Sequence, residues 1–163
     1  MTSVPYFLIF FALVVGFATW RGGGPERITA VAYLIGLAAS GAVGFLSVPG
    51  NFRVVPAGLF GVDVALLFAL TIIALRANRW WPVPVAGCQL VAVLVHAAKL
   101  IDPGMIPNGY AFLVTIWSWP MVALLALGTW AHRRRTARRI IVPDWKPISA
   151  RRGSHARWQA RAG

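Results

Sequence analysis

Asp63 interrupts an apolar run, residues 54–75, in which the only other polar side chain is Thr71. As a helix, a run of that length crosses the ~30 Å hydrocarbon slab of a bilayer. A carboxylate near its middle costs on the order of 3 kcal/mol to insert. Such a residue needs a partner, a proton or a water-filled cavity. The following apolar run carries three polar side chains able to meet it: Gln89, His96 and Lys99. Gln89 and His96 are seven residues apart, so a helix sets them on one face. Lys99 lies about 80° round that helix, near enough to its end to snorkel. At ~1.5 Å per residue, Asp63 is about 14 Å from the boundary nearer residue 54, between His96 at about 8 Å and Gln89 at about 18 Å. Ser118, in the next run, falls in the same layer. These side chains are able to form one cluster. It serves either as a hydrogen-bonded pin that orients helices or as a site for an ion, a proton or a small polar ligand.

The elements that position them are long apolar segments. Of the 163 residues 58% are hydrophobic and 12% charged, and the mean hydropathy is +0.68. Soluble domains average roughly 45–50% apolar and about 25% charged. Five runs stand out, at 4–20, 28–48, 54–75, 80–101 and 110–131, separated by turn-forming residues such as Gly22-Gly23-Gly24-Pro25 and Ala77-Asn78. The expected fold is all-α: a polytopic five-helix transmembrane bundle over residues 1–131 with a basic tail over 132–163. The first run lacks a positive n-region and a cleavage site, so it is expected to be retained as a helix. Pro120, inside the fifth run, removes the helical donor for the Ile116 carbonyl and predicts a kink.

Charge orients the bundle. The first loop carries Arg21 and Arg27, the third Arg76 and Arg79, and the tail ten more basic residues, fourteen of the sixteen in all. The positive-inside bias assigns that side to the cytoplasm and the N-terminus to the outside. Trp20, Trp80, Trp81 and Trp130 mark the same boundary as an interfacial belt, with Tyr6, Phe52 and Tyr110 near the other.

Small residues recur every four positions in two runs: Ala32, Gly36, Ser40 and Gly44, then Gly61, Ala65 and Ala69. Such stripes let helices approach closely in lipid, within this bundle or against another subunit. In the tail, Arg133, Arg134, Arg135, Arg138 and Arg139 can meet anionic headgroups at ~1 kcal/mol each. Residues 140–145 form an apolar patch ending in Trp145, with Trp158 further on. That patch suits the interface or a partner's surface; nucleic acid is not an expected partner.

Cys88 is the only cysteine, which excludes a disulfide within the chain. No metal site and no cofactor are expected, because His96 has no second intramembrane histidine at its depth and one deep Asp does not make a di-metal site. No HExxH, P-loop or GxSxG pattern occurs, so enzymatic function is not expected. Asp63, the Arg79-Trp80-Trp81-Pro82 turn, Gln89, His96 and Trp117-Ser118-Trp119-Pro120 together resemble the pattern of small multi-spanning inner-membrane proteins of alphaproteobacteria. The resemblance implies a bacterial inner membrane and supplies no activity. Five spans and eight tryptophans invite comparison with the tryptophan-rich sensory or translocator family, but its Trp-Asn-Pro-Pro first-loop motif has no counterpart between Arg21 and Arg27. Two functions fit: a non-enzymatic accessory or scaffold subunit of a larger membrane complex, or a small transport, ligand-binding or sensory protein using Asp63, Gln89 and His96.

Overall fold

The computed structural model describes residues 3–46, 54–102, 112–113, 115–139 and 143–147. Its described residues are helical almost throughout: α1 (Ser3–Arg21), α2 (Gly24–Leu46), α3 (Val54–Arg76), α4 (Pro82–Ile101) and α5 (Ser118–Ala137). Helices α1 to α4 are each long and apolar enough to cross a membrane. Further helical residues at 112–113 and 115–116 precede α5, and the chain turns at Trp117 between them. The turn falls just before Pro120, whose ring crowds the carbonyl four residues back.

The helices close a ring. α1 packs on α2, α2 on α3, α3 on α4, α4 on α5, and α5 returns to α1, while α2 also touches α5 across the middle. The dry core occupies the half of the ring near Arg21, Arg76 and Arg79. There Ala18, Ala30, Leu70, Ala77, Trp81, Val85 and Leu125 are at most 1% exposed. Large apolar side chains such as Phe45, Phe68, Leu94 and Ile101 point outward. In a water-soluble protein so much exposed apolar surface would be an aggregation hazard; in lipid it is the solvent-facing surface.

Two boundaries depart from expectation. α2 starts at Gly24 rather than at 28, so the first loop shrinks to Gly22 and Gly23. Pro25 and Glu26 suit a first turn, where a missing amide and a negative charge are both favourable. The cap comes from far away: the Gly24 amide donates to Asp144 Oδ2 at 2.9 Å. α5 runs to Ala137, past the expected end at 131, and so carries Arg133, Arg134 and Arg135 on its last turns. Arg139, with φ 55°, ends it in the left-handed conformation.

The interfacial tryptophans divide. Trp20, Trp80 and Trp130 are exposed, and the Arg21 and Arg134 guanidinium groups lie 4.3 and 3.9 Å over the rings of Trp20 and Trp130. Trp81 is not part of the belt: it points inward and is fully buried. A Cβ on Gly128 would stand 2.6 Å from the Trp81 Nε1, so this glycine lets the indole lie against the α5 backbone. The small-residue stripes divide as well. A Cβ on Gly36 would meet Leu66 of α3 at 3.3 Å, whereas Gly44 and Gly61 have nothing within 4 Å among the described residues. The close approach of α2 and α3 falls instead at Gly58, where a Cβ would meet Val43 at 2.8 Å. Of the two expected contacts for these glycines, within the bundle or with another subunit, the described residues show none within the bundle at Gly44 or Gly61. Ala65 lines an open groove between α2 and α3. Phe52, Tyr110 and Trp158 lie outside the described residues.

Candidate functional site

Asp63 projects from the middle of α3 toward α4, its most extensive neighbour. One carboxylate oxygen, Oδ1, accepts from Gln89 Nε2 at 3.0 Å. The other, Oδ2, lies 2.6 Å from His96 Nε2. Gln89 Nε2 is also 3.2 Å from the Asp63 carbonyl. The two-turn spacing of Gln89 and His96 on α4 matches a carboxylate placed between them. Their short, charge-assisted contacts hold it in one orientation. Gln89 and His96 are 3% and 2% exposed, while the Asp63 side chain keeps 20%.

That remaining face opens on a pocket of about 140 Å³ between the helices. Asp63 and Gln89 supply its polar floor, with Ser40 of α2 and Ser118 of α5. Phe7, Phe11 and Tyr33 form an aromatic wall. The wall is braced from behind. Phe7 meets Trp119 edge-on at 5.3 Å, Phe11 stacks on Tyr33 at 6.4 Å, and the Tyr33 hydroxyl donates to the Met121 carbonyl at 3.2 Å. Ser40, expected as a helix-packing residue, is thus on the pocket wall. Lys99, in the last turn of α4, is not among the residues that line the pocket. Asp63 and His96 are two potential metal ligands, and among the described residues no group of three His, Cys, Asp or Glu side chains converges.

A second polar cluster, not anticipated from the sequence, sits at the opposite end of the ring. Arg79 Nη2 lies 2.5 Å from Asp144 Oδ1 and 3.3 Å from His132 Nδ1. Its Nε is 3.8 Å from Glu26 Oε1, which accepts from Trp81 Nε1 at 3.1 Å. Glu26 is fully buried and the Arg79 side chain is 2% exposed. Asp144 thereby ties residues 143–147 across the first and third loops. The Asn78 amide donates to the Asp144 carbonyl, the Lys146 amide to the Arg76 carbonyl, and Trp145 pairs with Ala77. Trp145, expected at the interface or on a partner's surface, lies with its indole against Gly24 of its own chain and remains 37% exposed. The available signal was scarcity, since Glu26 and Asp144 are two of only four acidic residues facing sixteen basic ones. Arg133, Arg134, Arg135, Arg138 and Arg139 fringe the same end, with Arg135 Nε bonded to the Ala131 carbonyl.

No family model, curated protein or solved structure matches the chain. Function therefore rests on the geometry of these two clusters.

Proposed function

We propose that this chain is a five-span protein of a bacterial inner membrane, with its N-terminus outside and its basic tail in the cytoplasm, and that it binds a small ligand in the pocket at Asp63. The observation that carries this is the carboxylate itself. Two buried side chains hold it, yet it keeps one face toward a pocket. A purely structural pin has no need of the opening. The fifth span is supported by the helical residues at 112–113 and 115–116 leading into α5, and the orientation by the arginines and exposed tryptophans gathered at one end. The role is binding or transport rather than catalysis, since among the described residues of the site no nucleophile is paired with a base.

The experiment is a thermal-shift screen of the purified protein in maltoside micelles, using a panel of anionic, neutral and cationic compounds of one ring or less. At least one compound is expected to stabilise the wild type and to lose that effect in Asp63→Asn, which retains its fold by circular dichroism. Compounds that stabilise neither protein, or both alike, would refute the pocket as a ligand site.

The groove between α2 and α3 favours a second reading, that of an accessory subunit. It encloses about 240 Å³ and is lined by Ala32, Gly36, Ala39, Ala65 and Ala69 among others. Small residues of this kind admit a neighbouring transmembrane helix in lipid. Purification from native membrane in mild detergent tests it; recovery of the lone polypeptide removes this reading.

A further inference from the structure

The pocket at Asp63 has a chemical signature that narrows its occupant. Among the described residues lining it, Asp63 is the only charged one, and none is a lysine, arginine or histidine. Gln89 and His96 reach the carboxylate from the α4 side. Phe7, Phe11 and Tyr33 add ring surface to the same space, and aromatic faces attract cations while offering nothing to an anion. The volume, about 140 Å³, is close to that of an engineered apolar cavity that admits benzene. An occupant of that size carries one ring or a short branched chain.

We infer that the site takes a small organic ammonium ion, its charged nitrogen on Asp63 and its apolar body against Phe7 and Phe11. The inference rests on the pocket reading above and adds the class of ligand. Two sources supply such a group: a free amine or the headgroup of an ethanolamine lipid. Ser40 and Ser118 offer hydroxyl oxygens that accept from the remaining ammonium protons, a feature that favours a primary amine over a quaternary one. An anion would face the Asp63 carboxylate with no lysine or arginine among the described lining residues. A neutral molecule would forgo the charge-assisted contact that makes this carboxylate useful.

The test is calorimetric titration in maltoside micelles with three probes of one shape: benzylammonium, benzyl alcohol and benzoate. Benzylammonium is expected to bind at least about tenfold more tightly than benzyl alcohol, with benzoate unbound. Asp63→Asn is expected to erase the preference, and Phe7→Leu to narrow it while leaving the carboxylate cluster intact. The three-probe comparison on the unaltered protein needs no variant. Repeating it with phosphatidylethanolamine in the micelles separates the sources: competition identifies the headgroup, and no competition the free amine. Benzyl alcohol or benzoate binding as well as benzylammonium overturns the ammonium inference, and an Asp63 requirement for either would still uphold the pocket. Absence of binding by all three overturns the inference as well, and the broader compound screen then decides on the pocket.

Discussion

Replacing Gly128 by alanine adds one methyl group at the place where α5 meets Trp81. The new Cβ would stand 2.6 Å from the indole Nε1 and 2.7 Å from Cδ1 and Cε2, so the ring must withdraw by most of an ångström to restore ordinary contact. It has no free volume, being fully buried beside Val85 and Leu125. Its Nε1 donates to Glu26 Oε1 at 3.1 Å, and Glu26 Oε2 has no hydrogen-bond partner among the described residues. Overpacking costs about 1–3 kcal/mol. Loss of a bond to a buried charged acceptor costs about 1–3 kcal/mol more. The expected destabilisation is therefore about 2–6 kcal/mol. Reversible unfolding in mixed micelles measures it, with Gly87→Ala as control, since a Cβ there meets nothing within 4 Å. Trp81→Phe added to Gly128→Ala should restore part of the loss by shrinking the ring. Gly128→Ala as stable as Gly87→Ala would refute the packing argument.

Three further outcomes are expected. Arg79→Met strands the buried Glu26 carboxylate and should cost about 3–5 kcal/mol, part of which Glu26→Gln in the same chain restores; additive effects of the two in a double-mutant cycle would exclude their coupling. Asp144→Ala removes both the α2 cap and the Arg79 pair, so the Asn78 and Lys146 amides should exchange with deuterium markedly faster, and unchanged exchange would mean that residues 143–147 are held by other contacts. Cysteine labelling in a Cys88→Ser background should find a cysteine placed at Thr2 reactive from outside the cell and one at Arg139 only after permeabilisation. Labelling of both from one side would refute the five-span topology.

The pairing of Asp63 with Gln89 and His96 was legible because it needs only helical geometry and two helices joined by a short turn. Depth along each helix, counted in residues, already placed Asp63 between His96 and Gln89. The Glu26–Arg79–Asp144 cluster was hidden for the opposite reason. Its members come from the first turn of α2, the third loop and a tail segment, and no periodicity relates residues 26, 79 and 144. The same contact explains why the start of α2 was misjudged: its cap is a side chain 120 positions later. Trp81 was misplaced because residue type at a membrane boundary favours the interface, while the absence of a side chain at Gly128, 47 positions on, makes room for it inside. The glycine stripes showed which faces permit close approach, but Gly44 and Gly61 illustrate that permission is not contact.

The cap on α2 also bears on how the molecule is made. Gly24 and Glu26 leave the ribosome long before Asp144 exists, so the first helical hairpin forms with its turn unfinished and an acidic side chain awaiting its counterpart. Arg79 arrives with the third loop, and Asp144 only after α5 has been synthesised. Maturation of the earliest hairpin is thus deferred until the last described segment folds back, which makes residues 143–147 a closing stitch. A nascent chain halted before that segment would hold its helices without their final fastening.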